Sequence, residues 1–358
     1  VSPGPLRRPR SSGSAEPAEA VTPSTPTAPA GEPLPDLESI LALAGGKLLE
    51  VEQEFIRSLR SEVSIISEIG GYISQSGGKR IRPLLLLLSS RMCGYRGDRD
   101  VLFGAVFELI HTATLVHDDV IDEAALRRGR SSINSRWGNH LTVLLGDYLY
   151  IRSMSLALQA DDIRLIRVLA DITLKMIEGE LIQAHLDGQL DMNEEQHLDI
   201  VRRKTAFLFA GCCRIAAMLA GMNEERQWAL EQYGLSLGTA FQLVDDLLDF
   251  TAEEQVLGKP VLSDLKEGKL TLPLIYLLQE APEEARGPIS EVLRERAFRS
   301  VSKERILDLV KRHGTLERAR RRAQEFAEAA RRFLAPFDDG PERRALLQIP
   351  EYILRRDR

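Results

Sequence analysis

The sequence predicts an all-α fold, a single large helical bundle domain of about ten or more helices. Three observations carry this expectation. From about residue 36 onward, apolar residues recur at three- and four-residue spacing almost throughout. Short segments rich in Gly, Pro and Asp punctuate those runs. Alternating strand patterns bounded by hairpin signals are absent. At 358 residues, the chain is ample to bury a sizeable core.

The first 36 residues are rich in Pro, Ala, Ser and Thr and show no hydrophobic periodicity, so they read as a disordered tail ahead of a domain spanning 37–358. They lack the apolar core of a secretion signal. Two arginine clusters suggest an organelle transit peptide as a minority reading, against which the acids and prolines argue. LESILALAGGKLLEVEQEFIRSL then opens the helical pattern. Further helices are expected over about 82–94, 101–123, 138–159, 163–187, 194–221, 225–253 and 269–279, and through the C-terminal third. The breaks between them include GGYISQSGGKR, RRGRSS, LDGQLDMN and GKPVLSDLKEG. Near the end, LERARRRAQEFAEAARRF interleaves Arg and Glu. It reads as a solvated face with i,i+4 pairs, with a peripheral membrane contact as the alternative.

A charged fraction of 28% with net charge -6 argues against general nucleic-acid binding. Cys93, Cys212 and Cys213 form no zinc spacing and no disulfide framework, and a reducing cytoplasm is the natural setting. No unbroken apolar run approaches the ~20 residues that span a bilayer, which predicts a soluble protein.

Two acidic clusters stand out against this background. HTATLVHDDVIDEAALRRGR places Asp118, Asp119 and Asp122 just ahead of Arg127 and Arg128, and FQLVDDLLDF repeats the Asp-Asp-x-x-Asp spacing at Asp245, Asp246 and Asp249. On a helix, residues four apart lie about 40° from each other, so Asp118 and Asp122 share a face, as do Asp245 and Asp249. His111 falls seven residues before Asp118, on nearly the same stripe, and Gln242 falls seven before Asp249. Stacking like charges on an otherwise apolar helix is unfavourable unless something positive sits there. Magnesium suits such a site, because it takes hard oxygen ligands and typically binds through one or two carboxylates, waters and substrate phosphates. Calcium lacks a chelating loop here, and zinc lacks Cys and His ligands.

Bases supply the complement. SGGKRIRP sets Lys79, Arg80 and Arg82 after a Gly pair at the start of an apolar helix, where backbone N–H groups and cations suit an anion. Lys204 and Thr205, Lys259 and Lys269 lie near other helix ends. Together with both acid clusters they suggest two polyanionic substrates, one held through metal and one by bases directly.

GGKRIRP, HTATLVHDDVIDEAALRRG, EGELIQA, RRKTAFLFAG, FQLVDDLLDF and GKPVLSDLKEGKLTLPL, in this order, resemble the trans-isoprenyl diphosphate synthases, most closely the long-chain, octaprenyl-type group. The resemblance runs from about residue 40 to the RRDR terminus and implies the isoprenoid synthase type I fold, a bundle around a deep central cavity. It further implies head-to-tail addition of isopentenyl diphosphate to an allylic diphosphate. Asp118 and Asp122, supported by Asp119, would hold magnesium on the allylic diphosphate. Asp245, with Asp246 and Asp249 nearby, would hold the ion opposite, about three ions in all. Arg127, Lys204, Thr205, Gln242 and Lys259 would contact the allylic substrate, with Lys269 assisting, and Lys79, Arg82, His111 and Arg128 would bind isopentenyl diphosphate. The family is generally homodimeric.

In that family the growing tail descends from below the first acid cluster, past Ala113 and Thr114 in this chain. Both are small, which predicts a long product of about eight isoprene units for a quinone side chain, released with peripheral membrane contact as one option. The tunnel floor is expected near Leu144, Leu145, Tyr148 and Ile151. A geranylgeranyl-forming synthase, a terpene cyclase and a non-catalytic subunit of a heteromeric synthase are the competing readings.

Overall fold

The computed structural model describes residues 37–75, 77–127, 129–251 and 261–356. The expected N-terminal tail, Arg128 and Lys259 lie outside the described residues. Helices α1 (Leu37–Ala44), α2 (Lys47–Ser58) and α3 (Ser64–Ser74) precede α4 (Ile81–Met92). Leu84 to Leu88 are all inaccessible, because a helix with apolar side chains all round has no face to offer water. Accordingly α4 is packed between α2, α5 (Arg99–Ile121), α9 (Phe207–Leu219) and the C-terminal helix α16 (Pro341–Leu354).

Helix α5 leads to α6 (Ile133–Leu158) through a short hairpin in which Leu126–Arg127 pairs antiparallel with Arg130–Ser131. Strands of two residues are too short to show alternation, so no sequence signal announced them. Gly138, at φ 81, kinks α6 close to where the apolar pattern first becomes regular. Next come α7 (Ile163–Leu186) and α8 (Glu194–Val201). A π-helical turn at Arg202–Ala206 separates α8 from α9, dividing the helix expected over 194–221. The long α10 (Glu224–Thr251) runs to the second acid cluster. The remainder is α11 (Ser263–Glu267), α12 (Leu272–Glu280), α13 (Pro282–Glu295), α14 (Lys303–Arg312) and α15 (Thr315–Phe333).

Two apolar cores meet at α9. Phe209, Cys213 and Ala217 face the core shared with α4, α10 and the C-terminal helices, while Leu208, Cys212 and Ile215 face the core shared with α5, α6 and α7. The adjacent cysteines thus point into different cores, and burial pushes both thiols up, Cys213 to about 12. Along the α9–α10 contact, a Cβ on Gly238 would come within 2.7 Å of the Ala206 backbone, so only glycine permits that approach.

On α15 the arginines and glutamates pair, as Arg322 does with Glu194 and Glu325, while Ala319, Ala323, Ala327 and Ala330 are buried, in the helix that packs on α10. That apolar stripe is used inside the bundle and is not offered to a membrane. Both α5 and α6 are long and apolar enough to cross a membrane by length and composition, although polar residues interrupt their apolar runs. Most of the qualifying window of α5 is buried, 61%, as in the core helix of a globular domain.

Candidate active site

A cavity of about 1210 Å³ lies between α4, α5, α6, α7, α9 and α10. Its wall includes Asp118, Asp119 and Asp122 from the end of α5 and Asp245 and Asp246 from α10, so the fold brings both acid clusters to one space. Lys79, Arg82, His111, Arg127, Lys204, Thr205, Gln242 and Lys269 line the same cavity.

The first cluster sits where α5 ends. Asp122 is its C-cap residue, its N–H donating to the Asp118 carbonyl at 2.8 Å. The Asp118 carboxyl is pushed up to about 7, first by burial and then by Glu180 and Asp122, with Lys204 and Arg127 opposing. Asp119, 2% exposed, receives the Arg127 guanidinium as an ion pair. Arg127, expected to contact substrate, is therefore held against the cluster by a carboxylate within it. Lys269 donates to Asp122 at 3.2 Å and Glu267 at 2.9 Å. Burial pulls its pKa down, but Asp122, Glu267 and Asp264 more than offset this, so Lys269 stays charged.

The π turn places Lys204 and Thr205 on the cavity wall. Gly179 on α7 lets it approach, since a Cβ there would lie 2.6 Å from Arg203 Cβ and 3.0 Å from the Lys204 nitrogen. Lys204 Nζ then reaches Glu180 Oε2 at 2.9 Å and donates to Gln183 Oε1 at 2.8 Å. Such π turns are frequent at functional sites because they shift side chains out of the α-helical register.

On α10, the Gln242 amide donates to Asp246 Oδ1 at 3.0 Å and accepts from Thr205 Oγ1 at 2.7 Å. His197 of α8 donates from Nε2 to Asp246 Oδ2 at 3.2 Å. Asp246 is thus an organiser of neighbouring side chains. Asp245 faces Arg356, whose Nη1 lies 3.0 Å from Oδ1. Asp249 departs from its expected place. It is 1% exposed, off the cavity wall, and accepts from Ser263 N and Oγ and from Asp264 N at 3.2, 2.8 and 3.2 Å. It shares the Asp245 side of α10 but is engaged by the first two residues of α11.

Glu180 and Gln183 fall in EGELIQA, a segment that resembles the family as a whole without marking either residue. Arg356 lies in the RRDR terminus, where basic residues look like solvated surface. His197 carried no signal, because its partner is 49 residues away.

Leu144 and Ile151 are 52% and 64% exposed, on the outer side of α6, so they are not the cavity floor. Neither Leu145 nor Tyr148 lines the cavity. Tyr150, Thr173, Met176 and Leu208 line it instead, together with Ala113 and Thr114. Thr173 Oγ1 donates to the Leu169 carbonyl at 2.8 Å, which leaves Tyr150 as donor in their 3.0 Å contact.

Asp118, Asp122 and Asp245 are hard oxygen donors of the type a divalent cation prefers, and burial first, then Glu180 and Asp122, disfavour the Asp118 carboxylate that such a cation would stabilise. Among the described residues no three acids, histidines or cysteines converge as a complete protein-only cage. Magnesium does not need one where phosphate oxygens complete its shell.

An all-α bundle with two acid clusters and a set of bases around one apolar-walled cavity defines a class of enzyme that handles diphosphates bearing apolar tails. Residues 63–310 match the polyprenyl synthetase family. The chain is 37% identical over 323 residues to the octaprenyl diphosphate synthase of Escherichia coli K12, covering 90% of this chain and 100% of that one. It is 35% identical over 325 residues to heptaprenyl diphosphate synthase component 2 of Geobacillus stearothermophilus, covering 90% and 99%. A polyprenyl synthase of Caulobacter crescentus CB15, solved with calcium and isoprenyl diphosphate, superposes with TM-score 0.87 at 31% identity, covering 92% and 100%. The chain belongs to the polyprenyl synthetase family, is a prenyltransferase and has the all-α isoprenoid synthase fold.

Proposed function

We propose that this protein is a magnesium-dependent long-chain synthase. It adds isopentenyl diphosphate head-to-tail to an allylic diphosphate such as farnesyl diphosphate, giving a product of about forty carbons for a quinone side chain. The observation that carries the reading is the facing of the α5 and α10 acids across one cavity, with Lys269 on Asp122 and Arg356 on Asp245. Cations already sit beside both clusters, as a site for metal and diphosphate requires.

Bound magnesium would supply charge neutralisation of the departing pyrophosphate. Asp118, Asp122 and Asp245 would hold it. Lys204, Lys269 and Arg127 stand where negative charge develops as the allylic carbon–oxygen bond breaks. Lys79, Arg82 and His111 hold the second diphosphate so that its double bond attacks the allylic cation within one complex. The apolar wall that includes Ala113, Met176 and Leu208 keeps water from that cation. Loss of a proton from the adduct completes the step, with pyrophosphate as the acceptor.

A second copy of this chain is the partner proposed. Leu144, Ile151 and Leu158 on α6 and Leu174, Ile177 and Leu181 on α7 are more than half exposed and recur at helical spacing. Exposed apolar residues on two consecutive helices, of which Ile177 and Leu181 also border the cavity, suit an interface between protomers. The name of the heptaprenyl relative, component 2, keeps a heteromeric assembly as the second reading. Purified protein alone, given both diphosphates and magnesium, is expected to incorporate labelled isopentenyl diphosphate and to elute as a dimer. No incorporation by a folded dimer overturns the reading of a self-sufficient enzyme.

A further inference from the structure

Arg80 stands between the two bases read as diphosphate ligands and lines the same cavity, but its guanidinium is taken up by two acids, of which Glu108 also lines the cavity and Glu52 does not. Its Nε and Nη2 donate to Glu52 Oε2 and Oε1 at 2.6 and 2.8 Å, and its Nη1 donates to Glu108 Oε2 at 2.8 Å. The guanidinium also lies 5.1 Å from the Phe55 ring centroid. Glu108 is 4% exposed, so its half of the pairing is shielded from water, while the Glu52 side chain stays 31% exposed. Arg80 is also the N-cap residue of α4, at φ 49 and ψ 35. That left-handed conformation is rare for a residue with a side chain and persists only where surrounding contacts over-determine it.

The three charged residues come from α2, the start of α4 and α5. They therefore fix the turn carrying Lys79, and the first turn of α4 carrying Arg82, against the helix carrying His111, three residues beyond Glu108. We infer that Arg80 is a positioning residue: the Glu52–Arg80–Glu108 clamp holds the left-handed turn that aims Lys79 and Arg82 at the diphosphate of isopentenyl diphosphate. This rests on the role assigned above to Lys79, Arg82 and His111. It separates Arg80 from its neighbours in GGKRIRP, where charge alone gives all three bases the same appearance.

A second use of Arg80, as a ligand held back by its acids, predicts the opposite response to one substitution. Glu52 lies off the cavity wall, so Glu52→Gln changes the clamp without touching the cavity. If Arg80 positions its neighbours, Glu52→Gln weakens isopentenyl diphosphate binding by roughly 5- to 20-fold in calorimetry and raises its KM similarly. The allylic KM and kcat stay within about twofold. Arg80→Lys keeps one charge but loses the fork, and recovers part of the affinity lost in Arg80→Met. Arg80→Gly relaxes the backbone and still binds weakly.

Tighter or unchanged binding in a folded Glu52→Gln protein overturns the clamp, as does wild-type affinity in Arg80→Gly. An unmodified protein that fails to bind isopentenyl diphosphate overturns the reading of the site itself, and the clamp with it.

Discussion

The Arg356 guanidinium lies 3.0 Å from Asp245 Oδ1 and 4.4 Å from the centroid of the Phe241 ring. The C-terminal segment thereby places a cation at the acid cluster proposed to bind metal. Arg356 Nη1 is buried, and the side chain is 10% exposed. A divalent cation entering at Asp245 must share or displace that charge. Arg356→Gln should therefore raise the affinity of substrate-free protein for manganese, used as a spectroscopic stand-in, by about 3- to 10-fold. Free manganese measured by paramagnetic resonance checks this, and an unchanged affinity would show that the two cations do not compete.

Asp118 gives a pH dependence whose sign follows from its raised carboxyl. The folded protein holds this proton more tightly than the unfolded chain does. Stability from this group is thus present below the ordinary value of 3.8 and is lost as pH rises through about 7. Metal binding needs the ionised form, so magnesium affinity should rise over the same window with release of a proton. Metal-free Asp118→Asn is expected to melt a few degrees above the unmodified protein at about pH 8 and to lose the pH dependence of magnesium binding. Identical melting curves at that pH would contradict the account of Asp118.

Asp245 and Asp249 share a motif but should fail differently. Asp249→Ala strands the Ser263 and Asp264 donors and is expected to cost about 1–3 kcal/mol of stability. Asp245→Asn should leave the melting temperature nearly unchanged while lowering kcat by about 10²-fold or more. Thermal melts beside steady-state rates separate the two effects. Equal loss of stability in both variants would argue against their division of roles.

Ala113 lines the cavity on α5 and is 3% exposed, so a larger side chain there has nowhere to go but into the lumen. Ala113→Phe should shorten the product by several isoprene units with little change in the rate of the first addition. Tyr150→Ala, opening the wall beside Thr173, should lengthen it. Chain-length analysis of both variants tests the direction of the tunnel.

The helical fold and the two acid clusters were legible because they rest on local periodicity, which a sequence displays directly. His111, Asp118 and Asp122 follow one another on a single helix, and their common face can be counted off by hand. The Asp119–Arg127 pair spans a helix end and a hairpin too short to alternate. His197 meets Asp246 only through tertiary packing. Asp249 looked equivalent to Asp245 because spacing fixes a helix face but not where along the helix the cavity stops. The floor was misplaced for a related reason: Leu144 and Ile151 are apolar, and the sequence does not say whether a partner face or a tunnel covers them.

The most direct test is the product formed by purified protein from farnesyl diphosphate, labelled isopentenyl diphosphate and magnesium, resolved by chain length. A product near forty carbons is expected, formed without a second kind of subunit. A twenty-carbon product would contradict the long-tunnel reading while preserving the chemistry, and no product from a folded dimer would contradict the account at its centre.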